Sequence, residues 1–262
     1  MFTGERLDPR LAAGTQIYHL HHSRYRFAAG LAKSRRVLDV ACGTGYGTAE
    51  IAAGARRVTA IDLSPATLRD AAATYNSART DFAAMNAVDL ALAAGSFDLV
   101  VAFEMIEHMA DPDRCLQELH RVLEPGGTLI ISAPNRAVHS PGRQSPLHRW
   151  HYFEPTVDEF RRLLTEGGFT IDQLLGQHAN TRIGTTLAES KRNSLVVAAV
   201  RIGQFALPKM PPFLQRLTLR TIRSRRFLWR LLPSYQPADE GDISFSPESP
   251  ESAMNLVVVC SR

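Results

Sequence analysis

Three glycines and an acidic residue mark the part of the chain that could bind a cofactor. An apolar run begins at Val37 and leads into Gly43, Gly45 and Gly47, a spacing that lets backbone approach a ligand closely. A second apolar run leads to Asp62, nineteen residues past Gly43, about the spacing expected for a carboxylate that contacts a ribose. The pattern predicts a strand, a glycine-rich turn and a helix that bind a nucleoside cofactor.

The details of this loop distinguish two classes of cofactor. A dinucleotide fold requires Gly-x-Gly-x-x-Gly or Ala, and its third small position is Thr48 here. Asp39, near the end of the first strand, could attract a cationic ligand. These features favour S-adenosylmethionine, which has a ribose, an amino acid end and a sulfonium cation but no phosphate. The alternative is an ordinary strand, turn and helix that uses glycine only for its turn geometry.

Motifs further along the chain extend this pattern without a gap from Arg36 to Asn135. They include Phe82-Ala-Ala-Met-Asn86-Ala87-Val-Asp89-Leu90, Gly95-Ser96-Phe97-Asp98, Glu104-Met-Ile-Glu107-His108 and Arg121-Val-Leu-Glu-Pro125-Gly126-Gly127. With these motifs the chain resembles the class I S-adenosylmethionine-dependent methyltransferases of the type 11/12-like group. A subgroup associated with bacterial surface-polysaccharide gene clusters is more weakly resembled by residues 4–7, 22–28, 169–177, 244–246 and 257–260.

The resemblance implies a role for each matching residue. The cofactor carboxylate would be reached by Arg24 or Tyr25, and the rest of its methionine end would be lined by Asp39, Ala41, Gly43 and Gly45.

The resemblance also assigns the nucleoside end of the cofactor. Asp62 would accept from both ribose hydroxyls, and Leu63 would cover the adenine. Asn86 with Ala87 would contact the adenine edge, and Glu104 would form the pocket wall.

Two residues depart from the pattern of the family. Ala41 stands where the first glycine of the loop is usual, and Asn86 stands where an aspartate usually accepts from the adenine amino group. Ala41 is tolerable if its φ is negative. The Asn86 carbonyl can still accept that hydrogen bond without charge assistance, so we expect cofactor binding to persist.

Three histidines are the candidate catalytic residues. Methyl transfer is an in-line displacement, so the protein mainly aligns the acceptor and excludes water, and a base helps if the acceptor is a hydroxyl. His108 follows the fourth predicted strand, and His148 and His151 follow the fifth, at the sheet edge where open α/β folds bind ligands. Each of them could instead be a packed or loop histidine.

A metal site is a further hypothesis for one of these motifs. Glu104, Glu107 and His108 have i, i+3, i+4 spacing, so one helical turn would place them on a common face that could hold a divalent ion. The same residues recur in class I methyltransferases that use no metal. We therefore expect no metal ligands here.

Alternating strand and helix patterns from Val37 onward predict the fold. Together with the resemblance they predict an α/β fold with a Rossmann-like doubly wound sheet of about seven strands, the last antiparallel. Helix starts are predicted at Ser64-Pro65, at Asp111-Pro112 and at a Thr156–Glu159 capping box, and Pro125-Gly126-Gly127 is predicted to end the second of these helices. The predicted domains are an N-terminal helical segment over the cofactor site (1–35), the methyltransferase core (36–176), a helical lid (177–245) and the last core strand (246–262).

Composition agrees with a globular enzyme. The chain is 45% hydrophobic and 21% charged, and its three cysteines form no Cys-x-x-Cys pair, so neither a disulfide framework nor a zinc knuckle is indicated. The N-terminus lacks the apolar core of a signal peptide, and no stretch approaches the ~20 apolar residues of a membrane helix. We therefore expect a cytoplasmic protein.

An arginine-rich amphipathic stretch within the predicted lid bears on possible partners. Residues 213–232 mix leucines with arginines, and the simplest interpretation is a lid helix with a solvated basic face. Peripheral contact with an anionic membrane surface or with a phosphate-bearing substrate is the alternative. The sequence has no basic stripe interleaved with aromatic residues, so we expect no nucleic acid binding.

The sequence therefore predicts transfer of a methyl group from S-adenosylmethionine to a small-molecule or glycan acceptor, with a sugar hydroxyl favoured. A quinone or polyketide O- or C-methyltransferase is the alternative within the same class of enzyme. Two alternatives come from other classes, an NAD-dependent oxidoreductase and a catalytically silent S-adenosylmethionine-binding regulator.

Overall fold

One eight-stranded sheet organises the described residues. The computed structural model describes residue 7 and residues 9–12, 15–179 and 240–262. The strands in chain order are β1 (Arg36–Val40), β2 (Arg57–Asp62), β3 (Thr80–Ala84), β4 (Phe97–Phe103), β5 (Leu123–Pro134), β6 (Thr170–Ala179), β7 (Ile243–Ser246) and β8 (Asn255–Ser261). They lie in the order β3-β2-β1-β4-β5-β8-β6-β7.

The first five strands form the parallel part of the sheet. β3, β2, β1, β4 and β5 pair in parallel, and β8 pairs antiparallel with both β5 and β6. This confirms the predicted Rossmann-like α/β fold with an antiparallel last strand. The sheet has eight strands and not seven, because a four-residue segment without a buried residue, β7, adds a strand at the end of the stretch predicted as lid.

Helices flank the strands. They are α1 (Pro9–Ala12), α2 (Gln16–Leu31), α3 (Tyr46–Ala52), α4 (Pro65–Tyr75), α5 (Pro112–Val122), α6 (Arg136–His139) and α7 (Val157–Glu166). Short 3₁₀ turns cover Ile106–His108, Glu240–Asp242 and Pro250–Ser252. Among the described helices none is both long and apolar enough to cross a membrane.

The predicted helix starts are confirmed by their caps. The Ser64 hydroxyl accepts the N–H of Thr67 at the start of α4, and the Asp111 carboxylate does the same for α5. Thr156 and Glu159 form the predicted capping box of α7. The predicted end of α5 is wrong: the helix ends at Val122, because Leu123 already pairs with Phe97 as the first residue of β5.

Alternate residues of the central strands pack into two apolar clusters, as the two faces of a sheet require. In β1, Leu38 and Val40 belong to the cluster that contains residues of α5 and α7. Val37 belongs to the cluster that contains residues of α2 and α3. The sheet is therefore covered by helices on both faces, which is the doubly wound arrangement.

The chain divides into two compact units, one of Met1–Ser23 with Ala179–Ser244 and the other of Arg24–His178 with Phe245–Arg262. The second unit contains every site residue discussed below. Most of the predicted lid at 177–245, including the arginine-rich stretch 213–232, lies outside the described residues, as does part of the predicted segment 1–35.

The sheet order places a ligand crevice. β1 lies between β2 and β4, so the chain moves outward in one direction through β2 and β3 and in the other through β4 and β5. In open α/β sheets ligands bind outside the carboxyl ends of the strands at such a reversal. The loops that follow β1, β2, β3, β4 and β5 all carry predicted site residues.

Candidate functional site

The loop after β1 contains three residues in the left-handed region of φ. They are Ala41 with φ 57°, Gly43 with φ 56° and Gly45 with φ 81°. A Cβ atom on Gly45 would lie 2.9 Å from the Ala71 Cβ, so glycine is needed there for packing as well as for conformation. The condition under which alanine would be tolerated without strain, a negative φ at Ala41, is not met. The turn requires the left-handed conformation at that position, and alanine adopts it at a cost of about 1–2 kcal/mol.

A Cβ atom on Gly43 would meet no atom within 4 Å. The backbone of the loop therefore borders open space at this residue. This is the room that a ligand pressed against the loop needs.

Asp39 lies beneath this loop and has no exposed surface. Its carboxylate accepts hydrogen bonds from the Thr48 hydroxyl at 2.6 Å and from the Tyr25 hydroxyl at 3.4 Å. Burial nevertheless raises the pKa of Asp39 to about 7. Thr48 occupies the position at which a dinucleotide-binding loop requires a small residue. Its hydroxyl also holds the Asp39 carboxylate in place.

Asp62 ties the loops after β1 and β2 together. One carboxylate oxygen accepts the Gly43 N–H at 3.2 Å, and the other accepts the Ser64 N–H at 2.9 Å. A carboxylate has about four acceptor sites, more than these two hydrogen bonds occupy. The next residue, Leu63, leaves 70% of its surface exposed, an apolar surface directly beside a buried acid.

Asn86 and Ala87 follow β3. The Asn86 side-chain oxygen accepts the Val88 N–H at 3.2 Å, which closes a tight turn. Asn86 is exposed and Ala87 is buried. The amide oxygen of Asn86 keeps a second lone pair for a ligand.

Arg24 enters the site from α2 and is fully buried. Its Nη1 donates to the Gln177 side-chain oxygen at 2.5 Å, and its Nη2 lies 3.9 Å from the nearer Glu104 carboxylate oxygen. Nε and Nη2 have no hydrogen-bond partner among the described residues. A buried guanidinium with unmade hydrogen bonds is a ready partner for an anionic group.

Glu104 follows the last residue of β4 and has a positive φ of 49°. Its carboxylate accepts from the Ser132 hydroxyl at 2.8 Å, and its backbone N–H donates to the same hydroxyl at 3.1 Å. Glu107 and His108 lie in the following 3₁₀ turn. The hypothesis that these three residues share one helical face is wrong, because Glu104 precedes the turn and bonds to β5.

The three predicted histidines come together. The ring centroids of His148 and His151 are 4.2 Å apart, and those of His108 and His151 are 4.9 Å apart. Burial, and then the neighbouring imidazoles, lower the pKa of His148 to about 4, so this ring is neutral at pH 7. Adjacent parallel strands bring these residues together, because β4 and β5 end at the same edge.

Glu107 connects the histidine cluster to the Arg24 region. It is buried, and burial followed by the charge of Glu104 raises its pKa well above the usual value, while Arg24 opposes the shift. The charge of Asp62 acts in the same way on Asp39. The predicted site residues therefore form two neighbouring groups along one sheet edge. One is the cluster of three histidines, and the other contains Arg24 and the two aspartates.

Several residues of this edge were not identified from the sequence. Gln177 orients Arg24, and Glu154 accepts a hydrogen bond from His151. Ser140 donates to the second Glu154 oxygen at 2.5 Å. The i, i+3 spacing of His151 and Glu154 is the only local signal that could have indicated any of them.

Comparison with known proteins defines the class. Residues 38–131 match the family described as "Methyltransferase domain". A Mycolicibacterium smegmatis protein named "Probable S-adenosylmethionine-dependent methyltransferase" is 40% identical over 174 residues, which cover 66% of this chain and 67% of that protein. An O-methyltransferase of Aspergillus sclerotiorum, resE, is 33% identical over 171 residues, which cover 62% of this chain and 64% of that protein. The chain thus spans about two thirds of the length of each relative.

A solved structure agrees with these relatives. An S-adenosylmethionine-dependent methyltransferase from Mesorhizobium loti superposes with a TM-score of 0.52 at 19% identity, covering 93% of this chain and all of that one. At this identity the likeness shows the fold alone. Together with the sequence relatives, it shows that the chain belongs to the class I S-adenosylmethionine-dependent methyltransferases.

The residues present fit this cofactor. Arg24 offers unmade N–H groups to a carboxylate, Asp62 presents a carboxylate of the type that accepts from hydroxyls, and the exposed Leu63 offers an apolar surface to a base. Gly43, whose backbone borders open space, lies in the loop after β1 and donates its N–H to Asp62. We keep the individual contacts of these residues with the cofactor as predictions.

Proposed function

We propose that the protein transfers a methyl group from S-adenosylmethionine to an oxygen of a small-molecule or glycan acceptor, with a sugar hydroxyl as the favoured group. The observation that carries the proposal is the convergence of three imidazoles at the sheet edge that also bears the glycine loop. A hydroxyl acceptor must lose a proton, and imidazole is the side chain best suited to accept one near neutral pH. We propose a cytoplasmic location.

The residues of the chain would divide the work between binding and proton transfer. We propose that Arg24 holds the carboxylate of the cofactor, that Asp62 accepts from its ribose hydroxyls, and that Asn86 accepts from its adenine amino group. When bound, S-adenosylmethionine supplies an electrophilic methyl group and retains on sulfur both electrons of the broken bond. The acceptor oxygen supplies the electron pair of the new bond.

The histidine cluster would take the proton that the acceptor loses. His108, His148 and His151 are the candidate groups, and the imidazolium would then release the proton to solvent. The lowered pKa of His148 keeps its ring neutral at pH 7 and also makes it a weak base. Most of the side-chain surface of His108 and His151 is buried, with 19% and 11% exposed. Partial burial favours the exclusion of water from the reacting groups.

The loop between α6 and the cluster supports a polar acceptor. Arg143, Gln144 and Ser145 are exposed in this loop, and they could donate to the hydroxyls of a sugar. Tyr152, 67% exposed beside His151, could pack on the face of a ring. The same tyrosine favours an aromatic hydroxyl as the second candidate acceptor. The name of the Aspergillus relative, an O-methyltransferase, supports an oxygen acceptor without indicating its class.

Two experiments test the proposal in order. Calorimetric titration with S-adenosylhomocysteine should show binding, and NAD in a parallel titration should show none. A methyl-transfer assay over matched sugar and aromatic hydroxyls should then give product with one class. Absence of S-adenosylhomocysteine binding would refute the proposal, and binding without turnover on any acceptor would favour a cofactor-binding regulator.

A further inference from the structure

A cluster of metal-ligating side chains lies beside the predicted base. Glu107, His108 and His151 each contribute one potential ligand atom, and these atoms lie within 4.8 Å of one another. Glu107 and His108 come from the 3₁₀ turn after β4, and His151 comes from the loop after α6. The Tyr152 N–H donates to the Glu107 carbonyl oxygen at 2.8 Å and so joins the two segments.

Both imidazoles are oriented by a hydrogen bond at Nδ1. His108 Nδ1 lies 3.0 Å from the Trp150 carbonyl oxygen, and His151 Nδ1 lies 2.8 Å from a Glu154 carboxylate oxygen. A carbonyl or carboxylate oxygen accepts only, so each Nδ1 carries the proton and each neutral ring keeps its lone pair on Nε2. Imidazoles that bind metal in proteins are oriented in this way.

Glu107 has a buried carboxyl oxygen that the described residues leave without a hydrogen-bond partner. It is 1% exposed, and its Oε2 has no hydrogen-bond partner among the described residues. Its Oε1 lies 3.9 Å from His108 Nε2, which is too long for a hydrogen bond. A buried carboxylate oxygen without a partner is costly, and a cation among these three side chains would satisfy it.

We propose that Glu107, His108 and His151 bind a divalent transition-metal ion, with Zn²⁺ as the best fit. Two imidazole nitrogens and one carboxylate are a ligand set of this ion, whereas Mg²⁺ and Ca²⁺ prefer oxygen alone. Ligand distances of about 2.0–2.2 Å require each side chain to move inward by about 0.5–1 Å. This set replaces the Glu104, Glu107 and His108 group considered from the sequence.

Three protein ligands leave an open position on the ion. If the proposed function holds, an acceptor oxygen binds there, and the ion lowers the pKa of that hydroxyl as it lowers the pKa of bound water. The hydroxyl then loses its proton to solvent, and His148 is the one predicted histidine that is not a ligand. Its Nδ1 is buried and has no hydrogen-bond partner among the described residues.

The test measures metal binding without turnover. After treatment with chelator and its removal, the protein is titrated with Zn²⁺ in competition with a chromophoric chelator, and separately with Co²⁺ while its visible absorption is recorded. We expect one ion per chain and cobalt bands typical of fewer than six ligands. Mg²⁺ in large excess should not displace Zn²⁺.

Variants locate the site. His151→Ala and Glu107→Gln should each weaken Zn²⁺ binding by at least ~10-fold, and Glu154→Gln should weaken it by ~10–100-fold through the orientation of His151. His120→Ala removes a histidine that packs on Phe169 outside the cluster and should leave the affinity unchanged. His108→Gln provides a second ligand variant if one of the others does not fold.

The outcomes separate this inference from the proposed function. Stoichiometric Zn²⁺ binding that is equal in wild type and in the folded ligand variants would overturn the assignment, as would no binding to wild type. Equal competition by Mg²⁺ would overturn the choice of ion. S-adenosylhomocysteine binding is measured on the same samples with and without Zn²⁺, so failure of the metal site would not be confused with failure of the methyltransferase site.

Discussion

The strained alanine of the cofactor loop allows a sharp test of the structure. Ala41 has φ 57°, a conformation that costs an alanine about 1–2 kcal/mol and costs glycine almost nothing. In Ala41→Gly this gain is opposed by the greater freedom of glycine in the unfolded chain, about 0.4–1 kcal/mol. The half-buried methyl contributes a further loss of about 0.4 kcal/mol. We therefore expect the variant to be as stable as wild type or slightly more stable.

A matched variant separates the strain from the other contributions. Ala49 is also half-buried, but it lies within α3, where replacement by glycine lowers the free energy of unfolding by about 1 kcal/mol. Ala41→Gly should exceed Ala49→Gly in stability by about 1–2 kcal/mol, because the two changes delete the same atoms and differ mainly in the relief of strain.

The assay is thermal and urea unfolding of both variants beside wild type. At about 2–4 °C per kcal/mol for a chain of this size, the two melting temperatures should differ by about 2–8 °C. S-adenosylhomocysteine titrations on the same samples should show that Ala41→Gly retains binding. Equal losses of stability in the two variants would refute the left-handed conformation of Ala41.

Three further predictions concern charged residues of the site. Arg24→Gln should weaken S-adenosylhomocysteine binding by about 1.5–3 kcal/mol. Arg26→Gln, a change at an exposed residue of the same helix, should leave binding unchanged. Equal affinities of the two variants in calorimetry would exclude the contact between Arg24 and the cofactor carboxylate. Asp62→Ala should weaken S-adenosylhomocysteine binding by the same amount, because the contact with the ribose hydroxyls is lost, and unchanged affinity would contradict that assignment. Because the pKa of Asp39 rises from 3.8 to about 7 on folding, its carboxyl should stabilise the fold fully below pH 3.8. This contribution should be lost progressively as pH rises from 3.8 to about 7. Asp39→Asn should therefore remove a decline of up to about 1.4 kcal/mol per pH unit from denaturation curves recorded between about pH 4 and 7, and an unchanged pH profile would show that the carboxyl titrates elsewhere.

Local sequence signals predicted the elements that carry the site. The caps at Ser64, Asp111 and Thr156 each depend on a side chain that bonds to backbone within three residues, so the sequence alone could identify them. The end of α5 was not predictable in the same way. Leu123 leaves the helix in order to pair with Phe97, and that partner lies in another strand.

The histidine cluster shows the same limit for the site. The residue types and the strand ends indicated that His108, His148 and His151 approach one sheet edge. Their orientation depends on the Trp150 carbonyl and on Glu154, contacts that periodicity does not encode. Likewise, the positive φ of Glu104 separates it from Glu107, although the i, i+3 spacing had suggested a common face.

The sequence by itself determined the alternation of strands and helices, the glycine loop and the acid after β2, because each follows from residue types a few positions apart. Only the tertiary structure decided that Arg24 is buried against Gln177 and that Glu107 lies among ligands from two segments. Those contacts join residues far apart in the chain. Their geometry is set by how the helices and loops pack on the sheet, and local conformational preference carries no information about it.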